Sequence, residues 1–358
     1  MAERVVLHIG TMKSGTTYLQ DVLSSGVLEP AGGWYVGGTF GAQTSAVRRL
    51  LRPEGQRRPE QWQALAEEAN GREGVAVFSQ EFLSFARPPR ARQIVDSFGG
   101  TPVEVVVAVR DQHGAVPAQW QSFTRNRGLD DWAGYVQRLQ RMAGGRKGRR
   151  GKAVKSFRRA QDVAGILRRW DGLGDHVSTT VVVVPPSGSE PTALWRRFCE
   201  AAGVEAGDPE AAGRRSNESL GYASCDALVR LNRALEPLDK RGYTQARKRL
   251  LEALLPLRSQ EGKPVLPESG AALAAALNAD ILDAVTRHDV RLVGSADELP
   301  TEPRPGAPAE VPPPDPAHVR RALVAAWEHC LPQVPVPDAG SDQLAQRLGR
   351  RLVRRHGR

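Results

Sequence analysis

The residues best placed to do chemistry lie in GTMKSGTT (10–17), between the apolar run RVVLHI (4–9) and the helical pattern TTYLQDVLSS (16–25). A glycine-bearing turn between strand and helix wraps an anion with successive backbone N–H groups, and the helix adds the positive end of its dipole. Gly10 and Gly15 match the G-x-x-x-x-G spacing of a phosphate loop. The residue after Gly15 is Thr16, where a nucleoside triphosphatase carries a lysine that reaches the β- and γ-phosphates. Lys13 stands inside the loop instead, so its charge falls elsewhere.

Other candidates follow later strands. Arg110 ends VEVVVAVR (103–110), and a guanidinium binds two phosphate oxygens at once. Glu81 follows GVAVFS (74–79), near the crevice that open α/β sheets form beyond their strands' carboxyl ends. It suits a proton acceptor; a solvated loop carboxylate is the alternative. His113 reads as a group in reach of a ligand or as a first-turn helix residue, and His8 as a packed core histidine. No carboxylate–histidine cluster suggests a metal.

Positioning these groups falls to short apolar strands alternating with longer helical patterns. The strands are 4–9, 74–79, 103–110 and VSTTVVVVPP (177–186), and the helices 16–25, 59–69, 112–126 and 156–170. Strands apolar on both sides and separated by helices predict a mainly parallel sheet covered on both faces. Residues 26–45 and the basic stretch 142–159 read as irregular, and 300–316 as a proline-rich linker. The expected division is a domain at 1–299, that linker, and a basic helical tail at 317–358.

Hydrophobic residues make up 40% of the 358 and charged residues 25%, an ordinary globular composition. A net charge of +10, mostly arginine, favours acidic ligands or reflects genome composition alone. Three cysteines without metal-ligand spacing fit a reducing compartment. No apolar run has the length of a signal or membrane segment. A soluble cytoplasmic protein is expected.

IGTMKSGTTYLQ resembles the 5′-phosphosulfate-binding loop of the sulfotransferases, whose pattern runs P-K-[ST]-G-T-T, then a bulky residue and an apolar helix. The match covers Lys13, Ser14, Gly15, Thr16 and Thr17, with Tyr18 and Leu19 continuing; Met12 stands where the family usually has proline. The resemblance implies a P-loop NTPase-like three-layer α/β sandwich. It implies 3′-phosphoadenosine 5′-phosphosulfate (PAPS) as co-substrate, released as adenosine 3′,5′-bisphosphate (PAP), with no metal. Lys13, Ser14, Gly15, Thr16 and Thr17 would hold the 5′ end, and Lys13 would stabilise the leaving group.

The family's second signature is a strand-terminal arginine with a serine eight residues on, both gripping the donor's 3′-phosphate. Arg110 fits, but the later position is Ala118, which leaves Ser122, Gln119 or Gln121 to substitute. RRSNESLG (214–221) resembles an R-x-N-x-S-L segment of bacterial sulfotransferase-like proteins. It makes Arg214, Arg215, Asn217 and Ser219 candidates to close over that phosphate, while Asn217 or Ser219 equally suits a helix N-cap. Family members use histidine or glutamate as base, which here favours Glu81 with His113 as second choice. The resemblance reaches about residue 298.

The expected function is sulfuryl transfer to a hydroxyl or amine of a small-molecule or carbohydrate acceptor, with no nucleic acid as partner. Acceptor-binding loops are expected at 26–45, 84–92 and 127–155. The competing readings are a small-molecule kinase on the same fold and a family member that binds nucleotide without turnover.

Overall fold

The computed structural model describes residues 2–143, 151–209 and 219–357. Its elements run β1 (Arg4–Gly10), α1 (Thr16–Leu23), β2 (Gly33–Tyr35), α2 (Phe40–Leu50), α3 (Glu60–Gly71), β3 (Val75–Ser79), α4 (Pro88–Asp96) and β4 (Val103–Val109). Next come α5 (Gln112–Arg125), α6 (Trp132–Ala143), α7 (Lys152–Gln161), α8 (Val163–Trp170), β5 (Val177–Val183), α9 (Ala193–Ala202) and α10 (Tyr222–Ala234). The chain continues with α11 (Lys240–Leu254), α12 (Glu268–Arg287), β6 (Arg291–Val293), α13 (Pro316–Cys330) and α14 (Ser341–His356).

The strands form one sheet in the order β2-β3-β1-β4-β5-β6, and every pairing is parallel. Alternation along the strands decides which core each residue enters. Val5, Leu7 and Ile9 of β1 join one buried cluster, together with Val105 and Val107 of β4. Val6 and Val106 join another, with Leu19 and Leu23 of α1 and Phe198 of α9. Helices therefore flank the sheet, and the α/β expectation with a mainly parallel sheet is met.

Two compact units divide the chain. The first comprises 1–115, 157–216 and 274–302, and contains the sheet. The second comprises 116–156, 217–273 and 303–358. Its core includes Trp120, whose ring lies 5.4 Å from Trp132 and 5.8 Å from Tyr222. In that unit α13 and α14 pack on α10, burying Leu323, Trp327, Leu344 and Leu348. The helices at 317–358 thus share a core with earlier segments.

Some expected elements differ. The helix expected at 156–170 is two helices, because Asp162 accepts a hydrogen bond from the Gly165 N–H at 2.9 Å and caps a new start. The stretch 26–45, expected to be irregular, holds β2 and the start of α2. Gly74 makes β2 possible. Its φ is +96°, and a Cβ there would lie 2.0 Å from the Gly32 carbonyl oxygen. Ser219 does not cap α10, whose N-cap is Gly221 with no side-chain bond. Among the described residues no helix is long and apolar enough to cross a membrane.

Candidate anion-binding site at the strand ends

Three adjacent strands, in the order β3-β1-β4, end in the three segments that carry Glu81, Lys13 and Arg110. The centre of this arrangement is the turn between β1 and α1. Lys13 adopts φ +67° and Gly15 φ +76°, a left-handed conformation that costs a non-glycine residue free energy. Gly15 meets a second constraint, since a Cβ would sit 2.3 Å from Leu194 Cδ2 of α9. Only glycine fits both.

The turn is held from below. Thr11 donates its backbone N–H to Ala108 O at 2.5 Å and its hydroxyl to the same oxygen at 3.1 Å. That uses the Thr11 proton, so the Ser14 hydroxyl donates to Thr11 Oγ1 across 2.5 Å. Ser14 is fully buried, so its side chain shapes the loop. Helix geometry leaves the first N–H groups of α1 without intrahelical partners. Those of Gly15 and Thr16 make no hydrogen bond to any described residue. Lys13 and Thr17 are half-buried, and Thr16 is buried.

Glu81 begins a short 3-10 turn, Glu81–Phe85, directly after β3. Gln20 of α1 donates its amide to Glu81 Oε2 and to Ser79 O, both at 3.1 Å, which orients the carboxylate and ties it to α1. The backbones also approach closely: a Cβ on Gly10, at φ +105°, would lie 3.1 Å from Glu81 Cβ. Tyr35 ends β2, and its buried hydroxyl has no hydrogen-bond partner among the described residues. Burial, then the charges of Glu81 and Asp21, raise the phenol's pKa, so it stays protonated.

Arg110 leaves β4 half-buried, and its guanidinium makes no hydrogen bond or ion pair with the described residues. Its Nη2 lies 2.9 Å from where a Cβ on Gly114 would be, so Gly114 makes room for it. Burial lowers its pKa, and Asp111 opposes that shift. Among the described residues an arginine in this state is short of counter-charge, which an anionic ligand would supply.

Asp111 accepts from His113 twice, from the backbone N–H at 3.0 Å and from Nδ1 at 3.1 Å, and from Asn278 Nδ2 at 2.8 Å. Burial raises the Asp111 pKa, the hydrogen bonds from His113 and Asn278 outweigh it, and the net shift is downward. The bond to Asp111 places the His113 proton on Nδ1. Its Nε2 is buried without a partner among the described residues. His8 is a core residue: it is fully buried, bonded to Ser79 Oγ at 2.7 Å, and burial pushes its pKa down to about 4.

Lys13, Glu81, Arg110 and His113 all belong to the sheet unit, whereas Ser122 lies on α5 in the second unit. Gln121, in that same unit, is committed to Leu220 O at 2.8 Å. Arg214, Arg215 and Asn217 lie outside the described residues. The buried amides of Gln20, Gln112, Gln161 and Asn278 were not anticipated, because sequence alone does not separate a buried glutamine from a solvated one. No family model, curated protein or solved structure matches the chain.

Proposed function

We propose that the chain is a PAPS-dependent sulfotransferase acting on a hydroxyl or amine of a small-molecule or carbohydrate acceptor, on a P-loop NTPase-like three-layer fold. The observation that carries this reading is the sequence of anchors at one sheet end: Glu81, Lys13 and Arg110 beyond β3, β1 and β4. PAPS supplies an activated sulfuryl group, whose bond to the 5′-phosphate breaks as the acceptor atom bonds sulfur. The Gly15 and Thr16 N–H groups and the α1 dipole bind the 5′-phosphate, and Lys13 offsets the charge left on it. Arg110 takes the 3′-phosphate through its unused donors. Glu81 Oε1 takes the acceptor's proton while Gln20 holds Oε2.

The test offers labelled donor with phenols, sugars and amines. Lys13→Ala should weaken nucleotide binding and slow transfer together. Glu81→Gln should leave nucleotide affinity unchanged while the rate falls by about 10²–10⁴. Near-wild-type turnover by Glu81→Gln across the pH range would remove Glu81 as base and make His113 the residue to test. Retained PAP binding without transfer to any acceptor would favour a nucleotide binder without turnover.

A further inference from the structure

Two buried glutamines join the loop to the arginine segment. Gln161, the last residue of α7, donates Nε2 to Met12 O at 2.6 Å. Its Oε1 accepts from Gln112 Nε2 at 3.2 Å, and the same Nε2 donates to Arg110 O at 3.1 Å. A carbonyl at each end fixes both amide orientations, since a carbonyl only accepts and must face an NH₂ group. Gln161 is 7% exposed and Gln112 1%, so water replaces these bonds poorly.

The relay is itself anchored. The Gln112 N–H donates to Asn278 Oδ1 at 3.0 Å, and Asn278 donates to Asp111 at 2.8 Å and to Pro300 O at 2.9 Å. What it grips matters more. Pinning Met12 O fixes the plane of the peptide leading into Lys13, whose N–H points opposite to that oxygen across the trans bond. Pinning Arg110 O fixes the peptide leaving Arg110. Met12 occupies the position where a proline would stiffen the entry to the loop, and a bond from Gln161 restrains it instead.

The geometry points to Gln161 and Gln112 as positioning residues that couple the loop around Lys13 to Arg110, so that the elements for the two phosphates are ordered together. The inference rests on the donor reading above for its ligand, though not for its mechanics. Ordering either anchor with a phosphate lowers the cost of ordering the other, so a nucleotide carrying both phosphates gains more than the sum of its parts.

Gln161→Met keeps the volume and removes the donor; Gln112→Met breaks the relay at its other link and serves if the first variant fails to fold. Calorimetry gives the affinities for adenosine 3′,5′-bisphosphate and for 5′-AMP, which lacks the 3′-phosphate. Amide exchange is followed over 11–16 and 110–114 without ligand. The preference for the bisphosphate should shrink about tenfold, within the coupling seen for networked residues, with exchange faster in both segments. Equal weakening of both nucleotides, or no change in either, overturns the coupling. If the wild type shows no preference for a 3′-phosphate, the donor reading fails and exchange alone decides. Faster exchange in both segments then supports the relay, and faster exchange confined to 11–16 overturns it.

Discussion

The two units differ in charge by more than the whole chain carries. The sheet unit holds 22 lysines and arginines against 26 acidic residues, a net −4, and the second unit holds 28 against 14, a net +14. The chain's +10 therefore says nothing about the unit that bears the candidate site. The proposed anion binding there rests on placement: two N–H groups, one lysine in a left-handed turn and one arginine without an ion pair among the described residues. Their interiors differ too. Buried polar side chains gather around the strand ends of the sheet unit (His8, Thr11, Ser14, Gln20, Ser79 and Gln112). The second unit has an aromatic cluster of Trp120, Phe123, Trp132 and Tyr135 and fewer buried polar side chains among the described residues, Thr124 and Asn232 included. A polar network specifies one arrangement where an apolar core of similar volume tolerates several.

From this contrast, substitutions in the aromatic core of the second unit are expected to change stability, and those of the proposed ligand-binding groups at the strand ends to change binding. The largest effect is expected for Trp120→Ala, which empties a fully buried site between Trp132 and Tyr222 and strands the Asp130 carbonyl now bonded at 3.1 Å. Urea unfolding should show a loss of about 3–5 kcal/mol. A loss below 1 kcal/mol would mean that this core is not what holds the unit.

Arg110→Ala should do the reverse, leaving the melting temperature of the free protein unchanged. It should cost about 1.5–3 kcal/mol of affinity for a 3′-phosphorylated nucleotide, measured by calorimetry. A variant that keeps the wild-type ratio between ADP and adenosine 3′,5′-bisphosphate would show that Arg110 is not the anchor.

The smallest effect tests the polar interior itself. His8 is neutral in the fold down to about pH 4, whereas the unfolded chain binds a proton near 6.5. Between those values the unfolded state holds more protons, so stability is full above pH 6.5 and is lost as pH falls. Going from pH 7 to 5.5 should cost the wild type about 1 kcal/mol more than His8→Gln, read by urea unfolding at both pH values. Parallel losses in the two proteins would show that His8 is not the titrating group.

The sheet was legible because β1, β3, β4 and β5 are valine-rich apolar runs with helical spacers, the pattern of a buried parallel sheet. β2 and β6 were not, since three residues carry no period and their pairing depends on neighbours such as Gly74. Lys13, Gly15 and Arg110 stood out because charge and glycine at strand ends carry local meaning. Gln161 did not, because its role is set by a carbonyl 149 residues away in sequence. The break at Asp162 was hidden by an apolar period that runs on through both helices.

In the proposed reading the strand ends bind a nucleotide with phosphates at both 3′ and 5′ positions, which thermal unfolding with added nucleotide can check. A ligand that binds only the folded state raises the melting temperature by mass action. Adenosine 3′,5′-bisphosphate should stabilise the protein, while ATP at the same concentration should not. Equal stabilisation by ATP, with no preference for the 3′-phosphate, would contradict the account and return the kinase reading to first place.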